Sequence, residues 1–201
     1  METSEGGAAK GLFFRRFLAH PTRVGSLFPS SPSLSRMIAA QVGRADGEYV
    51  IEIGGGTGTV TRAILSSGVP DDKLIVVEID KEMAQFLRKT YPAVTVLECS
   101  IFDIMQRLPQ PAIGNVGCVV CELPVTLLPH EAQERLVETI VSLLPRNHPF
   151  FVLTHGLGSP IPAEKLGLVG KRNVFTLRNF PPASVWSYAR DPEALTEGSA
   201  R

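Results

Sequence analysis

The sequence predicts an α/β fold: an open, mostly parallel sheet with a C-terminal antiparallel hairpin, preceded by N-terminal amphipathic helices. Three observations predict it. Short continuous apolar runs alternate with helical patterns between residues 48 and 154, as expected for parallel strands covered on both faces. Three glycines end the first of these runs and a helix follows, which is where open sheets of this kind bind ligands. Beyond residue 172, two runs of strand-forming residues flank Pro181-Pro182 and read as an antiparallel hairpin.

Residues 1–9 are small and polar and read as a disordered tail. Residues 10–45 hold the N-terminal helices. Over 10–19, Phe13, Phe14, Phe17 and Leu18 share one face, Arg15, Arg16 and Ala19 occupy the other, and Pro21 ends the helix. Ser31 is placed to cap a second helix with Pro32 in its first turn, Leu34, Ile38 and Val42 inward, and an end near Gly43. The core is expected over 46–190. Its strands fall at 49–53, 74–79, 94–97, 116–120 and 150–154. Between them lie a helix over 58–67 with Val60, Ile64 and Leu65 inward, one marked by Met83, Phe86 and Leu87, and one over 130–144. Residues 156–172 are rich in Gly and Pro and hold no convincing helix, and the hairpin strands fall at 173–177 and 184–188. Residues 191–201 read as a flexible tail.

A chain of 201 residues, 44% hydrophobic and 20% charged, suffices for one globular domain and excludes global disorder. Basic and acidic residues number 20 each, without the cationic excess of a nucleic-acid protein. No apolar run approaches the ~18–20 residues that cross a bilayer, and Glu2 and Glu5 stand where a signal peptide would need an apolar core. Three cysteines, an odd number, agree with a reducing compartment. The charge is unevenly spread. Lys10, Arg15, Arg16, Arg23, Arg36 and Arg44 stand in a stretch without one acid, which suggests a local anionic partner.

The strongest local signal is Glu52-Ile53-Gly54-Gly55-Gly56-Thr57-Gly58 between a strand and a helix. Glycines there let the backbone turn sharply and approach a ligand beside the positive end of a helix. The dinucleotide fingerprint G-x-G-x-x-G fails, because its third glycine falls on Thr59, and no Lys-Ser/Thr follows to make a P-loop. Glu78 stands 20 residues beyond Gly58 at a strand end, where a carboxylate accepts the hydroxyls of a ribose. Asp80 is placed to cap the next helix. Cys118 and Cys121 lie three apart on one strand and so face opposite sides, as buried thiols. No histidine spacing suits a metal.

With these residues the chain resembles the S-adenosylmethionine-dependent methyltransferases of the Rossmann-like class: E-x-G-x-G-x-G, then Val-Val-Glu-Ile-Asp, then a strand ending before Leu123-Pro124. The resemblance implies that Glu52, Gly54, Gly56 and Gly58 surround the methionine part of the cofactor and Glu78 its ribose. Ser100 would meet the adenine amine, with Ile79 and Ile101 on the ring. More of the chain is similar to the bacterial phosphatidylethanolamine N-methyltransferases, through Phe17-Leu18…Pro21…Arg23-Val24-Gly25…Pro29-Ser30-Ser31 and through 178–186, Arg-Asn-Phe-Pro-Pro-Ala-Ser-Val-Trp. Glu122 and His155 depart from that branch's pattern. The implied reaction moves methyl groups from S-adenosylmethionine to a phospholipid amine, ending in phosphatidylcholine and S-adenosylhomocysteine, without a metal. A lipid ammonium must first lose its proton, and Glu122, His155 and Tyr188 are the candidate acceptors by location. Expected partners are the phospholipid and, through residues 10–44, an anionic membrane surface; the chain is read as a cytoplasmic, peripheral, monomeric protein that binds no nucleic acid.

Three alternatives stay open: another aminolipid such as ornithine lipid, ribosomal RNA adenine, and a non-catalytic membrane-binding module. Val125 after Pro124 lacks the aromatic that the RNA enzymes use to hold a flipped base.

Overall fold

The computed structural model describes residues 30–146, 148–177, 179, 181–193 and 195. The expected helix over 10–19, with its phenylalanine stripe and basic residues, lies outside them. The first described helix, α1 (Pro32–Ala39), begins as predicted, with the Ser31 side chain accepting from the Leu34 N–H and Pro32 in the first turn. It ends earlier than expected. The chain tightens after Ala39, Gln41 and Val42 donating three residues back to Ile38 and Ala39, as helix ends often do.

The other elements are β1 (Tyr49–Ile53), α2 (Thr59–Ser66), β2 (Leu74–Glu78), α3 (Lys81–Thr90), β3 (Thr95–Glu98), β4 (Val116–Cys121), α4 (His130–Leu143), β5 (Phe150–Thr154), β6 (Val169–Thr176) and β7 (Ala183–Ala189). They build one sheet in the order β3-β2-β1-β4-β5-β7-β6. The first five strands are parallel, and β7 runs antiparallel to both β5 and β6. Apolar residues of α1, α2 and α3 pack on one face of the sheet, and those of α4 and a short 3-10 helix, Ile101–Gln106, on the other. Successive crossovers leave β1 in opposite directions, so a crevice opens at the carboxyl ends of β1 and β4.

Three details correct the sequence reading. In α3 only Ala84 and Leu87 are buried, while Met83 is 38% and Phe86 48% exposed. This helix lies over the β2–β3 edge of the sheet and has only a narrow stripe to cover. Strand β6 starts at Val169, four residues before the expected hairpin strand, and a 3-10 turn, Ala163–Leu166, precedes it. Gly170 looks like a loop residue in sequence, yet it sits opposite Tyr188 in the ladder, where an added Cβ would lie 2.7 Å from the Tyr188 ring. Leu195, from the expected tail, packs on Ala189. Cys118 and Cys121 do face opposite cores, and burial pushes both thiols up to about 12.

Distant parts of the chain meet at the carboxyl edge. The Asn179 Oδ1 accepts from the Ser31 N–H at 2.9 Å, and its Nδ2 donates to the Pro181 carbonyl at 2.9 Å. Asn179 is buried. Asn179→Ala strips both partners and should lower the unfolding free energy by about 1–3 kcal/mol, read from the midpoint of urea unfolding; an unchanged midpoint would show that water replaces the amide without cost.

Candidate functional site

The loop after β1 is shaped by glycine geometry. Gly54, Gly56 and Gly58 take φ of +89°, +47° and +74°, a region that L side chains avoid. Gly55 serves close packing instead, since its Cβ would run into Val76 and lie 2.8 Å from Leu87. From below, the Tyr91 hydroxyl donates to the Gly58 carbonyl at 3.0 Å. The outer side is open: a Cβ on Gly56 would meet nothing nearer than the Gly54 carbonyl at 4.0 Å.

Glu78, at the end of β2, ties this loop down. Its Oε2 accepts from the Gly56 N–H and its Oε1 from the Asp80 N–H, both at 2.8 Å. An ionised carboxylate has about four acceptor sites, so each oxygen keeps a lone pair for a vicinal diol. Asp80 caps α3 by accepting from the Met83 N–H at 2.9 Å. Ser100, after β3, accepts from the Phe102 N–H at 3.3 Å and keeps its own proton to donate. Ile101 is almost wholly buried in the core, so Ile79, half-buried, is the one of the two that offers a surface.

Three carboxyl groups gather at the ends of β1, β2 and β4. Glu52 is fully buried, and its Oε1 accepts from the Thr61 hydroxyl of α2 at 3.0 Å. Glu122 directly follows β4, its N–H donates to the Ile53 carbonyl at 2.9 Å, and its Oε2 accepts from the Ser30 hydroxyl at 3.3 Å. Burial is the main force that lifts Glu52 to about 7 and Glu122 well above the usual carboxylate range; contact between the two acids and the charge of Glu78 also act on the pair.

The remaining candidates divide. His155 is exposed immediately after β5, on the same edge of the sheet. Tyr188 is not brought to that edge. It pairs with Phe150, the first residue of β5, and is fully buried against Phe150 and Trp186, with its hydroxyl 2.7 Å from the Ser159 hydroxyl. The antiparallel direction of β7 carries it to the far end of the sheet. Among the described residues no cluster of His, Cys, Asp or Glu could hold a metal ion, and no helix is long and apolar enough to cross a membrane. Sequence reasoning missed Thr61, Tyr91 and the tie between Ser30 and Glu122. Thr61 left one sign, a polar residue beside Val60 on the inward face of its helix.

Comparison with known proteins agrees with this geometry. Residues 50–147 match the family model described as a methyltransferase domain. Ornithine lipid N-methyltransferase of Singulisphaera acidiphila is 32% identical over 178 residues, covering 87% of this chain and 93% of that protein. Ribosomal RNA small subunit methyltransferase A of Chlorobium luteolum is 32% identical over 104 residues, covering 49% of this chain and 37% of its own length. Among solved structures, the magnesium protoporphyrin IX methyltransferase of Synechocystis PCC 6803 with bound S-adenosylmethionine superposes with a TM-score of 0.57 at 15% identity, covering 89% of this chain and 91% of that one. That likeness speaks for the fold, and the first relative, aligned along nearly all of its length, speaks for the lineage: the chain belongs to the S-adenosylmethionine-dependent methyltransferases, with S-adenosylmethionine as its cofactor.

Proposed function

We propose that the protein N-methylates the free amine of an ornithine lipid headgroup. The observation that carries this reading is the relative named for that activity, matched over 87% of this chain and 93% of that protein. It supports ornithine lipid over phosphatidylethanolamine, the acceptor that the sequence resemblance suggested. Matches to the ribosomal RNA enzymes stay within about half of the chain, and equal numbers of acidic and basic residues do not suit an RNA surface.

The residues fit the cofactor. In this reading Glu78 accepts the ribose hydroxyls, Gly54, Gly56 and Gly58 admit the methionine part, and Ser100 and Ile79 lie toward the adenine. The cofactor supplies an activated methyl group, so the protein has chiefly to position and desolvate the amine. Glu122 and His155, following adjacent strands β4 and β5, flank the place where that amine would enter, and either could receive its proton. Residues 10–44 would hold the enzyme at an anionic lipid surface, through Phe13, Phe14, Phe17 and Leu18 with the neighbouring cations.

Expression in a host that makes both ornithine lipid and phosphatidylethanolamine, followed by mass analysis of its lipids, should reveal methylated ornithine lipid. Methylated phosphatidylethanolamine alone would overturn the assignment. Phe14→Glu combined with Phe17→Glu should abolish sedimentation with anionic vesicles while cofactor affinity stays unchanged; a folded double variant that still sediments would remove the segment from the anchoring role.

A further inference from the structure

Glu52 and Glu122 are more than two acids near a binding site. Strands β1 and β4 are neighbours in register, Ile53 opposite Cys121, so the residues before and after that pair project on the same face of the sheet. Thr61 occupies one oxygen of Glu52 and Ser30 one oxygen of Glu122. The other two, Glu52 Oε2 and Glu122 Oε1, are buried from solvent and meet no donor among the described residues, while the two carboxyl groups are near enough to act on each other. Two ionised carboxylates have no hydrogen to share and repel at contact, so such a pair holds one proton between them.

Among the described residues no ion-pair partner compensates this charge. Glu78 of β2 bears on both acids, and Tyr91 at the end of α3 is within the influence of Arg62 of α2 and of Glu52. Thr61 and Ser30 contribute only hydroxyls. Among the described residues none of the three glutamates forms an ion pair. A cation brought to the strand ends therefore favours loss of the shared proton, because a second negative charge then gains a partner in a site of low dielectric.

We propose that Glu52 and Glu122 work as a single acid that reads the charge of the cofactor, releasing their shared proton when the sulfonium is present and taking a proton back when it has become a neutral thioether. This rests on the cofactor assignment and adds a proton cycle to it. In methyl transfer the acceptor nitrogen bonds to the methyl carbon with its lone pair, the carbon–sulfur bond breaks with its electrons left on sulfur, and the positive charge moves to nitrogen. The proton that the nitrogen then sheds is the one that the pair regains. Glu122 is thus a positioning residue for charge, coupled through Glu52, and the pair distinguishes cofactor from product.

Titration calorimetry tests this with the full chain, using S-adenosylmethionine and S-adenosylhomocysteine in two buffers of different ionisation heat at pH 6.5, below the ~7.7–8.0 of an α-amino group. S-adenosylmethionine should release close to one proton more than S-adenosylhomocysteine. Its affinity relative to the product should then rise about tenfold per pH unit, the slope that one linked proton imposes. In Glu122→Gln both ligands should still bind, and the difference in proton release should vanish. Equal proton release by the two ligands in the unaltered protein overturns the proposal, whether or not the variant folds. Failure of both ligands to bind overturns the cofactor assignment itself, a distinct result.

Discussion

Glu78→Ala should weaken S-adenosylmethionine binding by about 1–3 kcal/mol, or roughly five- to 150-fold. The loss has two sources. The ribose hydroxyls lose their acceptor, and the Gly56 and Asp80 N–H groups lose the carboxylate that now holds the loop in shape. Gly56→Val should do more damage, because a β-branched side chain at φ +47° strains the backbone and fills the open side of the loop. Glu98→Ala is the matched control: it also removes a carboxylate from a strand end, but an exposed one that pairs with Arg88 at 2.9 Å. Calorimetry should find its affinity unchanged. Equal losses at Glu78 and Glu98 would mean that the ribose lies elsewhere.

The ligand-free protein should become less stable as pH rises from about 4.3 toward neutrality. An unfolded glutamate titrates near ~4.3, whereas burial holds Glu52 at about 7 and Glu122 higher than usual. Across that window the folded chain binds more protons than the unfolded one, so raising the pH draws the equilibrium toward unfolding. The contribution is fully present below ~4.3 and is lost as pH passes the folded value, roughly 4 kcal/mol for a single carboxyl held at about 7. Other carboxylates contribute slopes of their own, so the informative quantity is the difference between the unaltered protein and Glu122→Gln, whose amide donates to Glu52 without needing a bound proton. Urea unfolding at several pH values should show that difference changing steadily between acid and neutral conditions. A constant difference would mean that the carboxyls titrate normally.

What the sequence discloses follows the range of each interaction. The buried strands are legible because they are nearly all apolar, and the caps Ser31 and Asp80 because a cap acts on residues three positions away. The glycine loop and Glu78 are legible too, lying on consecutive strands of one β-α-β unit. β6 is hidden: Val169, Gly170, Lys171 and Arg172 are exposed on an edge and show no apolar run. Contact between Glu52 and Glu122 requires knowing that β4 lies beside β1, and 70 residues of chain separate the two acids. Tyr188 is the converse. Being near the hairpin in sequence suggested the site, and only the direction of β7 shows which end of the sheet it reaches.

The strand order has a consequence for biosynthesis. Because β7 lies between β5 and β6, neither of those strands can pair with it while the ribosome is still adding residues 155–182, and β5 is held only by β4. For that interval one edge of β5 stands open, and its sequence, Phe-Phe-Val-Leu-Thr, is what another nascent chain would pair with most readily. The half of the sheet from β3 to β5 has all its strands by then, so the glycine loop and its glutamates can be in place before the last strand arrives. Once β7 is inserted, the edge on this side of the sheet belongs to β6, where Lys171 and Arg172 stand among exposed residues, and charge on an edge discourages further addition. Late insertion thus exchanges an adhesive edge for a soluble one at the final stage of synthesis.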